Sequence, residues 1–104
     1  MKAIGKNAQG ETLEFETDEQ GRLFCNGKGL VELELPEGIE KVYCYNNQLT
    51  KMNVPSSLQF LSCHHNKLID LLLPSTMTKV WCDEGAIKNT NELEYSMVKI
   101  IYFT

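Results

Sequence analysis

At 104 residues, with 42% hydrophobic and 23% charged side chains, the chain has the size of one ordinary domain, able to bury a core yet too small for two. A formal net charge of −4 sets it apart from strongly basic nucleic-acid binders and from extremely acidic mimics alike. No apolar run approaches the roughly 18 residues of a membrane span, and MKAIGKNAQGETL has no signal-peptide core, so no membrane is expected. The expected location is the cytoplasm, with export by a signal-peptide-independent route left open.

From the N-terminus, KAIGK, a turn at NAQG, the alternating run ETLEFE and a second turn at DEQG before RLFC predict antiparallel hairpin material. Residues 1–19 are therefore expected to form a hairpin cap, residues 20–90 a stack of repeats and residues 91–104 a capping strand, together one domain spanning 1–104.

The repeat is read from columns of identical spacing. Cys25, Cys44, Cys63 and Cys82 are each nineteen residues apart, and Pro36, Pro55 and Pro74 keep the same step. Leu30, Leu49, Leu68 and Ile87 follow it, as do Leu23, Val42, Leu61 and Val80. Self-similarity at about twenty residues marks a solenoid, whose units must stack to bury an apolar face. Ile39-x-x-Val42-x-Cys44-x-x-Asn47-x-Leu49 and Leu58-x-x-Leu61-x-Cys63-x-x-Asn66-x-Leu68 match one pattern in full. The outer copies are weaker, with Gln20 and Lys28 off the pattern in the first and Gly85 in the Asn slot of the last.

On those residues the chain resembles the leucine-rich repeat, with Cys in the third apolar slot, and its short returns resemble the short-repeat type found among secreted bacterial effectors. The resemblance implies a leucine-rich repeat solenoid, mostly β, of short parallel strands with extended convex returns that hold little or no helix. Strand alternation turns Val42 and Cys44 inward and Tyr43 and Tyr45 outward. Asn47 and Asn66, carrying both donor and acceptor, are expected to satisfy backbone groups in the bend after the strand.

Near the C-terminus, Tyr95-x-x-Val98-x-Ile100 fits a fifth strand at a step of eighteen, with TNEL before it as a short helical turn. The cysteines are expected to be reduced, small apolar fillers of the inward slot, since no two lie closer than nineteen residues and zinc ligands usually come in close pairs. No metal or other cofactor is expected. Alternation separates Cys63 from His64, and no phosphate loop or hydrolase motif occurs, so no catalytic residue is assigned and the chain is read as a non-enzyme.

The outward slots hold the candidate site. The central column reads Phe24, Tyr43, Ser62 and Trp81; one flank reads Arg22, Lys41, Phe60 and Lys79, the other Asn26, Tyr45, His64 and Asp83. Rings beside cations match the composition of binding hot spots, so Arg22, Phe24, Lys41, Tyr43, Tyr45, Phe60, His64, Lys79, Trp81 and Asp83 are read as the surface for a partner protein. The alternative is that the rings cover one another or are covered by the terminal strand. The expected function is protein–protein interaction through a concave strand face, as an inhibitor or adaptor. Single-stranded nucleic acid is the second reading, with Arg22, Lys41, Lys79 and Lys99 lining a stripe beside Tyr43, Phe60 and Trp81.

Overall fold

A computed structural model describes residues 1–87 and 98–103. Its elements are strands: β1 Lys2–Asn7, β2 Thr12–Glu16, β3 Arg22–Phe24, β4 Leu30–Glu34, β5 Lys41–Tyr43, β6 Phe60–Ser62, β7 Lys79–Asp83 and β8 Lys99–Phe103. No helix occurs among the described residues. The strands make a five-stranded parallel sheet, in the order β3-β5-β6-β7-β8, and a three-stranded antiparallel sheet, in the order β2-β1-β4. The chain is a β-solenoid of about four turns.

The nineteen-residue step is the register of the parallel sheet. Leu23 stands opposite Val42, Val42 opposite Leu61 and Leu61 opposite Val80. Beyond the short strands the ladder continues, with the amides of Cys25, Cys44 and Cys63 donating to the carbonyls of Tyr43, Ser62 and Trp81 at 2.9, 2.8 and 2.7 Å. Inward side chains are withdrawn from water almost completely: Leu23, Val42, Leu61 and Val80 are 0% exposed, and the four cysteines are buried and unbridged. Two of the returns end in a turn that starts at Pro, with Leu58 N donating to Pro55 O and Met77 N to Pro74 O, both at 3.1 Å. Leu49, Leu58, Leu68, Leu71 and Met77 come back across the far side of the same core.

The asparagines do what their slot requires. Asn47 donates from Nδ2 to the carbonyls of Cys25 and Cys44 at 3.0 and 2.9 Å, and accepts at Oδ1 from the amides of Lys28 and Leu30 at 2.9 and 3.0 Å. Asn66 repeats the arrangement one coil on, donating to Cys44 O and Cys63 O and accepting from Leu49 N. Each asparagine therefore fastens its own bend to the coil before it, meeting backbone groups no ladder reaches. A left-handed residue opens the bend in each case, Gly27, Asn46 and His65 at φ of 66°, 56° and 58°.

The N-terminal hairpin covers the first coil by a route the sequence reading did not anticipate. β1 pairs with β2 as expected, but its other edge pairs antiparallel with β4, on the return side of the first coil, rather than leading into a partner for β3. LVELE lies in the return of the first coil, where the repeat predicts only extended chain; it is a strand because β1 supplies a ladder for it. Ala3 is fully buried there, and a Cβ on Gly5 would come within 2.8 Å of Leu30 Cδ2 and 3.2 Å of Phe15 Cε2, so the close approach of β1 to the core needs glycine.

At the other end, β8 closes the sheet as a fifth parallel strand, but at a step of twenty: Val80 faces Ile100 and Cys82 faces Tyr102. The expected step of eighteen was two residues out. A slip of two keeps every side chain on its face, so the apolar pattern alone does not distinguish the two registers. The proposed turn at TNEL lies outside the described residues.

Candidate functional site

The outer face of the parallel sheet brings the ring residues into one continuous layer. Phe24 stacks on Tyr43 with ring centroids 4.6 Å apart and planes 13° from parallel, Tyr43 leans on Phe60 at 5.0 Å, and Phe60 meets Trp81 edge-on at 6.1 Å. A second file forms beside it. The His64 imidazole lies between Tyr45 at 4.9 Å and Phe103 at 4.2 Å, nearly parallel to both, and touches Trp81 at 5.9 Å. The rings cover one another, and the terminal strand covers His64, as the alternative reading allowed. Truncation of Tyr43 or Trp81 is therefore a packing event as well as a surface one, which alternation alone did not reveal.

Cations lie over this layer. The Arg22 guanidinium is 5.3 Å from the Phe24 centroid and the Lys79 ammonium 5.1 Å from that of Trp81. Arg22 is also held by Asp18, Nε to Oδ2 at 2.8 Å. The Arg22 amide, bonded to the Asp18 carboxylate, holds that carboxyl below its usual range, with the guanidinium adding to the effect. Lys41 is exposed at the start of β5.

Two expected site residues have structural partners. Asp83 accepts from the amides of His65 and Asn66 at 2.8 and 2.9 Å. The fourth coil has Gly85 where Asn47 and Asn66 stand, and Asp83 takes over part of the fastening from two positions earlier. His64 is 9% exposed, with Nδ1 3.2 Å from the Ser62 hydroxyl. Burial holds the His64 pKa below its ordinary value, helped by the neighbouring His65 and opposed by Asp83. Ser62 is 1% exposed, so this hydroxyl and the imidazole partner each other away from solvent. Trp81 Nε1 is buried without an acceptor among the described residues.

Burial pushes the Cys82 thiol up to about 11 and that of Cys25 up to about 12, and it raises those of Cys44 and Cys63 well above the ordinary thiol value, which favours the protonated form of all four. No group of three or more His, Cys, Asp or Glu side chains able to hold a metal ion occurs among the described residues. A groove of about 570 Å³ lies on the return side, lined in part by Ile4, Lys6, Glu32, Lys51 and Met52.

Phe103 is the member of the ring layer that sequence reasoning missed. Its signal was the alternation Lys99, Ile101, Phe103, which needed the register of twenty to be placed beside Lys79, Trp81 and Asp83. Comparison with protein-family models, characterised proteins and solved structures found no match for this chain.

Proposed function

We propose that the protein is a small leucine-rich repeat protein of the short-repeat type that works by binding another protein across the outer face of its parallel sheet, as an inhibitor or adaptor, without catalysis of its own. The observation that carries the reading is the ring layer itself: Phe24, Tyr43, Phe60 and Trp81 run across four adjacent strands, Phe24 remains 46% exposed, and cations stand over both ends. Preordered rings give contact area at low entropic cost, which is why they recur at interface hot spots. Five strands at about 4.8 Å give a face roughly 24 Å across, small beside a standard interface, so a partner would use nearly all of it.

Single-stranded nucleic acid is the lesser reading. The basic row suits phosphates, but bases need free ring faces, and here those faces meet other rings or cations.

The test is capture of partners from the source cells by the wild-type protein, Tyr43→Ala and Lys51→Ala, followed by mass spectrometry, with each variant confirmed as folded at the capture temperature. Partners retained by Lys51→Ala and lost by Tyr43→Ala support the reading; equal capture by all three sinks it.

A further inference from the structure

Along the starts of the parallel strands runs a row in strict register: Arg22, Lys41, Phe60, Lys79 and Lys99 face one another strand by strand. Four of the chain's ten basic residues thus stand in one file on a protein of net charge −4. Arg22 and Lys79 lie over rings of the outer face, which fixes the side of the sheet the row occupies. Among the described residues only Arg22 of this row has a carboxylate partner, Asp18; the other ion pairs, Met1 with Glu16 and Lys2 with Glu14, belong to the N-terminal hairpin. Lys79 and Lys99 are direct neighbours on adjacent strands about 4.8 Å apart, a like-charge placement that by itself costs stability.

We propose that this row receives an extended, acidic segment of the partner protein, in which two acidic side chains flank an apolar one in the pattern acid-x-apolar-x-acid. The inference rests on the reading of this face as a protein-binding surface and adds the chemistry of what lies on it. The spacing comes from the sheet. From the middle of the Arg22/Lys41 pair to Phe60 is one and a half strand spacings, about 7 Å, and from Phe60 to the middle of the Lys79/Lys99 pair is the same. Alternate side chains of an extended chain are also about 7 Å apart, so a segment crossing the strands places one carboxylate between each pair of cations and its apolar side chain on Phe60. The Lys79/Lys99 pair, which has no carboxylate partner among the described residues, then gains an opposite charge. Nucleic acid would satisfy the same cations, but most of the rings beside them already stack on one another or carry a cation on a face, which leaves few faces for bases.

The experiment selects a library of short random peptides on the folded wild-type protein and on the triple variant Lys41→Gln, Lys79→Gln, Lys99→Gln. Emission of Trp81, the only tryptophan, then measures binding of the enriched peptides, of their acid-to-amide analogues and of a short oligothymidylate to the purified proteins. Removing the like charges is expected to leave the triple variant melting at or above the wild-type temperature. The expected result is enrichment of the acid-x-apolar-x-acid spacing on the wild type. Binding should weaken with salt and fall by roughly tenfold or more, both in the triple variant and in the amide analogues. Enriched peptides without acids, or equal binding by the amide analogues, would overturn the acidic partner and leave the protein-binding reading standing. Oligothymidylate binding more tightly than every peptide would overturn both. A selection that enriches nothing on the folded wild type overturns the proposal as well.

Discussion

The two faces of the parallel sheet obey different rules. Inward, the letters repeat from coil to coil: Leu23, Val42, Leu61, Val80, then four cysteines, every one of them withdrawn from water. Outward, only the basic row Arg22, Lys41, Lys79 and Lys99 keeps its character, interrupted by Phe60, and the other columns change from coil to coil, yet the side chains still pack on one another as stacked and tilted rings. The inner face is constrained by volume, since each coil offers the next the same slot and any change of size is felt. The outer face is constrained by neighbour contacts alone, which many combinations of ring and cation can meet. Variation from coil to coil is accommodated there without loss of order, as the proposed binding role would require.

Substitutions can break this contrast in order of size. Leu61→Ala removes a fully buried side chain from the middle coil and is expected to cost about 3 to 5 kcal/mol in urea unfolding. Asn47→Ala strips four backbone groups of a bond of 3.0 Å or shorter, and Tyr45 O of a longer one, and should cost about 2 to 3 kcal/mol, with Asn66→Ala somewhat less because its Oδ1 holds fewer bonds. Equal stability of Asn47→Ala and the wild type would show that water replaces the amide fully. On the outer face, Tyr43→Ala loses two ring contacts from a half-buried position and should cost about 1 to 2 kcal/mol, a drop of several degrees in Tm. A loss as large as that of Leu61→Ala would erase the distinction between the faces.

The smallest effect is the pH dependence of the outer layer. Burial favours neutral His64, so its folded pKa lies below the ordinary value of 6.5. As pH falls through that ordinary value the unfolded chain takes up the proton first, and the stability fully present above it declines until the folded pKa is reached. Thermal melts at about pH 7.5 and about pH 5.5 should show a modest fall in Tm, and His64→Phe should flatten the part due to this residue.

How far the fold is legible in the letters depends on what each feature rests on. The coil, its parallel register, the buried cysteines and the role of Asn47 and Asn66 follow from columns that recur, because recurrence specifies spacing and spacing specifies contact. β4 was missed because a strand on the return needs β1 beside it, and that pairing occurs once. The step of twenty into β8 was missed because a two-residue slip costs nothing in facing. Asp83 was read as outward, which is correct for its Cβ, but alternation does not say that its carboxylate turns to the amides of His65 and Asn66. Nor does it say that outward rings lie on each other, which depends on side-chain torsions that no periodicity encodes.

The backward reach of the asparagines bears on how such a chain could lengthen. Asn47 binds the coil before it and Asn66 binds the coil of Asn47, so each unit brings the clasp for its predecessor and depends for its own on its successor. A duplicated nineteen-residue segment inserted between them would arrive with its clasp in place and disturb neither end. Such a gene duplication would widen the sheet by one strand, about 4.8 Å, and a chain built that way is expected to melt higher than the parent. Size, on this architecture, is inherited in whole coils.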